Sequence, residues 1–159
     1  MKMKNHIIIS LLFLSVGCST FQKEYDINNI TERNGVYVKK FSDEKVNGKV
    51  FQMVDDMKVP LGKMKDGKNE GNWISWYPKG QKMYEGTFKD GEKDGLTTSW
   101  LPDGKESFEM IFKDGNPWNG LQPWWYTSSR LKARVKTYKD GELISEECWD
   151  EDGNEKECN

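Results

Sequence analysis

The chain has 159 residues with 24 Lys+Arg against 26 Asp+Glu, a formal charge of -2. The only histidine, His6, lies in the first seventeen residues with Lys2 and Lys4, so without that segment 22 basic residues face 26 acidic ones, a balance near -4 with no histidine. That excludes histidine-based catalysis and histidine-ligated metal from the remaining chain, and its acidity argues against a nucleic-acid binder that neutralises phosphates.

Met1 to His6 is a basic start, and Ile7 to Val16 is an apolar run. Ten helical residues reach only ~15 Å, half of a ~30 Å hydrocarbon core, so the run is too short to span a membrane and fits the apolar region of an export signal, residues 1–17. Leu14-Ser15-Val16-Gly17-Cys18 resembles the lipobox of bacterial lipoproteins. The resemblance implies cleavage before Cys18 and acylation of that cysteine, giving an anchor with two or more acyl chains. Ser19, where an acidic retention signal would otherwise stand, implies by the same resemblance the outer membrane or cell surface. The alternative is an ordinary secretory signal that leaves Cys18 in the mature chain. Residues 18–34 are mostly polar and read as a tether.

Asn34 to Val38 reads as a leading strand, and from there a repeat emerges. Lys-Asp-Gly recurs with its glycine at 67, 91, 115 and 141, and Trp recurs at 76, 100, 125 and 149. A second turn signal recurs as Pro78-Lys79-Gly80, Pro102-Asp103-Gly104, the degenerate Ser128-Ser129, and Asp152-Gly153. Two turn signals per unit enclose two short alternating runs, hence one β-hairpin per unit. Units fall near 41–63, 64–87, 88–111, 112–137 and 138–159. The expected fold is all-β: an elongated single sheet of consecutive antiparallel hairpins over 35–159. Eight to ten strands at ~4.8 Å each make it ~40–50 Å long. In this reading Trp76, Trp100, Trp125 and Trp149 form a core ladder.

Tyr84-Glu85-Gly86-Thr87-Phe88-Lys89-Asp90-Gly91 resembles a MORN repeat, and Trp73 to Gly80 is similar to its bacterial variant in the YwqK-type antitoxin family. The resemblance covers about residues 35–159 and implies a hairpin array. It also implies an antitoxin or immunity role, which export restricts to a partner outside the cytoplasm. The unit from Phe112 to Thr137 departs from the pattern: it inserts a residue near Asn116-Pro117-Trp118-Asn119 and lacks Tyr-x-Gly.

Cys148 and Cys158 flank the turn Asp150 to Asn154, an even pair in an oxidising compartment, and they are expected to form a disulfide closing the array. The alternative is two free thiols in a frayed tail. Asp150 to Glu155 lacks the distant bidentate Glu of an EF-hand, so it reads as a hairpin turn, and no metal or other cofactor is expected. No nucleophile with a base is found, so the chain reads as non-enzymatic. With no basic cluster, phosphoinositide binding is not expected. Adjacent strand residues point to opposite faces, so one of Trp124 and Trp125 leaves the ladder face. Trp118, Trp124, Trp125 and Tyr126 are therefore the binding-surface candidates, for a protein partner or a cell-wall glycan.

Overall fold

The computed structural model describes residues 22–126 and 131–158. The export signal, Cys18 and the Ser128-Ser129 turn lie outside the described residues. The strands in order are β1 (Glu24–Asp26), β2 (Ile30–Arg33), β3 (Val36–Lys39), β4 (Gly48–Val54), β5 (Met57–Lys65), β6 (Lys68–Trp76) and β7 (Lys82–Lys89). They continue with β8 (Glu92–Trp100), β9 (Glu106–Lys113), β10 (Asn116–Trp125), β11 (Lys132–Lys139), β12 (Glu142–Trp149) and β13 (Glu155–Lys156). From β4 to β13 each strand pairs with the next in antiparallel fashion, within an 11-stranded sheet whose first member is β1. The fold is the all-β array of consecutive hairpins that the repeat predicts, with one addition: β2 and β3 form a small separate sheet.

The Lys-Asp-Gly turns show why the repeat folds this way. Asp66, Asp90, Asp114 and Asp140 have φ of 51°, 51°, 47° and 51°, and the following glycines have φ between 76° and 90°. Two consecutive positive φ values define the type I′ turn, whose twist matches that of the flanking strands. Each turn is also fastened to the hairpin before it. The amides of Gly67, Gly91, Gly115 and Gly141 donate to the carbonyls of Val46, Asn69, Lys93 and Trp118, at 2.9, 3.0, 2.9 and 2.9 Å. The adjacent aspartate amide donates to a side chain in three of the four: Asp66 to Asn47 at 2.7 Å, Asp90 to Glu70 at 3.1 Å and Asp140 to Asn119 at 2.8 Å. One set of backbone bonds thus builds each hairpin, and a second set stacks it on its neighbour.

Two expectations are corrected. The tether over 18–34 ends before Glu24, because β1 pairs in parallel with β4, Tyr25 opposite Val50. Tyr25 and Ile30 are buried with Val46, Val50, Leu61 and Met64, and Ile27, Tyr37, Trp73 and Trp76 pack around them. The few apolar residues of this stretch are spaced to reach that cluster, and burying them outweighs the polarity of their neighbours.

The second correction concerns the tryptophans. Trp76, Trp100 and Trp149 are half-buried, and Trp125 is 47% exposed. Among the described residues, the buried side chains from β7 onward are instead Thr97, Thr98, Met110, Phe112, Val135 and Cys148. Trp76, Trp100 and Trp125 each follow a break in strand register; Trp76 still packs against the buried cluster, and Trp125 is the one that opens to solvent. Rings are seated on glycines of the neighbouring strand or turn. A Cβ on Gly62 would come within 2.5 Å of the Trp73 ring, and one on Gly141 within 2.8 Å of the Trp118 ring.

Candidate interaction surface

The aromatic stretch at the end of β10 is held by its pairing with β11: Pro123 opposite Val135, Trp124 opposite Arg134, then a register break that sets Trp125 opposite Lys132. The two neighbouring indoles open into different hollows. Trp124 shares one with Tyr126, Arg134, Cys148 and Lys156, whereas Trp125 shares another with Phe108, Leu121, Pro123 and Val135. Trp124 is 40% exposed, so both rings offer area to solvent.

The other candidates serve the array itself. Tyr126 donates its hydroxyl to the Trp149 carbonyl at 2.8 Å, as Tyr77 does to Trp100 at 2.8 Å. Trp118 is half-buried, with its ring against Gly141 and the Lys113 ammonium 4.3 Å from the ring centre. Of the four residues singled out in the sequence, Trp124 and Trp125 present free ring surface, while Trp118 and Tyr126 hold neighbouring units together.

A row of lysines over rings was not foreseen. Lys82 stands over Trp100, Lys93 over Phe112 and Tyr84, Lys113 over Trp118, and Lys136 over Trp124 at 5.8 Å. Each such contact is worth roughly 0.5–1 kcal/mol at an exposed site. Burial lowers the Lys93 pKa. The Tyr84 pKa is raised by burial, against which the Thr97 hydroxyl works. The signal in the sequence was a lysine on the strand facing each ring, which only the register reveals. Glu146 binds Arg134 at 3.2 Å and Lys136 at 3.7 Å, balancing the charge beside Trp124.

Cys148 and Cys158 are joined in a disulfide with a Cα–Cα distance of 5.4 Å. Their sulfurs lie near Glu146, the one grouping of potential metal ligands among the described residues, but the sulfurs are bonded to each other and offer no thiolate. In the turn between them, the Asp150 carboxylate accepts from the amides of Asp152 at 3.0 Å and Asn154 at 2.8 Å. The backbone amide of Asn154, followed by its side chain, holds the Asp150 pKa below the usual range. This carboxylate is committed to the turn.

Sequence reasoning also missed a set of exposed aliphatic side chains: Leu96, Leu121, Leu143 and Ile144 are 49%, 52%, 48% and 57% exposed. The adjacent Leu143-Ile144 pair following the last Lys-Asp-Gly turn was the visible clue. Comparisons with protein-family models, curated proteins and solved structures find no match to this chain.

Proposed function

We propose that this is an exported lipoprotein, anchored through Cys18 in the bacterial envelope, whose hairpin sheet binds another protein without performing chemistry. The observation that carries the binding role is the pair Trp124 and Trp125, two indoles on consecutive residues that are 40% and 47% exposed and open into separate hollows. Large rings left in water at a polar rim have the composition of interface anchors. An immunity role outside the cytoplasm, which the YwqK-type resemblance implies, is one form of this function. A cell-wall glycan module is the second reading, favoured by the same exposed rings, since indoles stack on sugar faces. Lys136 over Trp124 limits the free ring area on that side.

Two measurements test the proposal. Labelled fatty acid is expected in the wild type and absent from Cys18→Ala, and a variant still labelled contradicts the anchor. Trp124→Ala combined with Trp125→Ala is expected to lose a protein that co-purifies with the wild type from solubilised membranes. Unchanged recovery of that protein, or recovery of glycan alone, contradicts the protein-binding role.

A further inference from the structure

Phe41, in the loop between β3 and β4, is disfavoured there on two counts. It is 98% exposed, against 66% for Met57, the next most exposed large apolar side chain among the described residues. Its backbone is also left-handed, with φ of 62°. Every other described non-glycine residue with a positive φ is an Asn or Asp, the types that tolerate it. Phe41 takes the third place in a turn closed by the Ser42 amide on the Lys39 carbonyl at 3.2 Å, where a left-handed backbone calls for glycine or asparagine. Strain at a ring left in water does nothing for the fold, and such strain gathers at functional positions.

The turn holds the ring in place. The Lys40 amide donates to the Asn29 carbonyl at 2.9 Å, the Lys39 amide to the Glu44 carbonyl at 3.0 Å, and the Glu44 amide to the Ser42 hydroxyl at 2.9 Å. Both acidic side chains of the loop are paired: Asp43 with Arg33 at 2.9 Å, and Glu44 with Lys39 at 2.6 Å and Lys23 at 3.2 Å. Lys40 and Lys45 are exposed and make no ion pair among the described residues. The loop therefore presents one free ring beside unpaired positive charge.

Its position relative to the anchor names the occupant. The Glu44 carboxylate ties the base of the turn to Lys23, which follows Cys18 by five residues. Five residues reach at most ~18 Å even when extended, so an acylated Cys18 keeps this turn next to the lipid headgroups. Trp124 and Trp125 on β10 lie six strand spacings beyond β4, roughly 29 Å, so the two surfaces are separate. Resting on the Cys18 anchor proposed above, we infer that Phe41 is a second membrane contact, its ring entering the lipid interface beside the acyl chains. Lys40 can lay its stem along the interface and leave its ammonium among the phosphates. The acyl chains supply the affinity, and the ring fixes how the sheet stands on the bilayer.

The test uses the full acylated chain in vesicles of phosphatidylethanolamine and phosphatidylglycerol. With Cys18 acylated and Cys148 bonded to Cys158, a fluorophore can be placed on Lys40→Cys or Lys79→Cys alone. Doxyl-labelled lipid is expected to quench the Lys40→Cys label about threefold or more strongly than the Lys79→Cys label. Adding Phe41→Asn should bring the first signal down to the second while the chain still floats with the vesicles. The melting temperature should hold or rise, because Asn suits the left-handed backbone. Equal quenching at the two positions, quenching that survives Phe41→Asn, or a lowered melting temperature overturns the inference and leaves the anchor standing. A wild-type chain that does not float overturns the anchor and the inference with it. In cells, a photoreactive phenylalanine in place of Phe41 should give lipid adducts, and a discrete protein adduct instead assigns the turn to a protein and overturns the membrane contact.

Discussion

The Tyr126 hydroxyl donates to the Trp149 carbonyl at 2.8 Å, joining the irregular unit over 112–137 to the one over 138–159. Tyr77 makes the same bond to Trp100, with the same sequence separation of 23 residues. The unit that has lost its glycine turn and its Tyr-x-Gly thus keeps the bond that fastens it to its neighbour.

Tyr126→Phe removes that bond and leaves a part-buried carbonyl with one partner fewer. A loss of about 1 kcal/mol is expected, and the same for Tyr77→Phe. The bonds lie in different units, so the double variant should lose the sum of the two. Urea titration of the three variants checks this, and a double variant no worse than either single one would contradict independent fastenings.

Gly62→Ala should cost more than Gly71→Ala. At Gly62 a Cβ meets the Trp73 ring at 2.5 Å, although the backbone there is not left-handed. At Gly71 φ is 71° but no atom lies within 4 Å, so the penalty is that of the backbone alone, about 1 kcal/mol. Displacing Trp73 also strains its bond from Nε1 to the Lys63 carbonyl, and overpacking of this kind costs roughly 1–3 kcal/mol. Thermal melts and Trp73 fluorescence measure both effects.

The turns were legible in the sequence because Asp-Gly acts locally: two positive φ values in succession suit that dipeptide whatever surrounds it. Strand order followed, since each turn joins neighbours. What stayed hidden is what depends on partners distant in sequence. Tyr25 and Ile30 read as tether residues because their cluster is completed by Val46, Val50, Leu61 and Met64. The tryptophans were placed in one core ladder because a period cannot show register breaks or what lies opposite each ring: Trp76 packs against the buried cluster, whereas Trp125, after the break at Trp124, is 47% exposed. Trp118 looked free because Gly141, on which it rests, is visible only once β10 and β12 are placed.

Removing the disulfide should loosen the end of the array more than its middle. The sequence separation is 10, and a loop of that size contributes about 2–3 kcal/mol in the chain-entropy model. Cys158→Ser should therefore raise amide exchange in β13 and around Trp149 while β7 to β9 keep their protection. Uniform loss of protection would show that the terminal hairpin supports the whole sheet.

Stability should fall in acid. Hydrogen bonding to the Lys82 ammonium, then to the Asn72 amide, holds the Glu85 pKa below its ordinary value. Lys39 and then Lys23 do so for Glu44, Lys58 for Glu24, and the Asn154 amide for Asp150. A pKa lower in the folded than in the unfolded state adds stability above the ordinary carboxylate range, and this is lost as pH falls through the folded value. The melting temperature should hold near pH 6 and decline below about pH 4.5. Glu44→Gln should flatten part of that decline, and an unchanged slope would remove this carboxylate from the account.

The most direct test of the central claim, an envelope-anchored sheet that binds a protein through its C-terminal units, is photo-cross-linking in intact cells. A photoreactive aromatic residue would replace Trp124, Trp125 or, as a control in a distant turn, Lys79. The account predicts a discrete protein adduct in the membrane fraction from Trp124 or Trp125 and none from Lys79. Adducts with glycan alone, or equal adducts from all three positions, would contradict it.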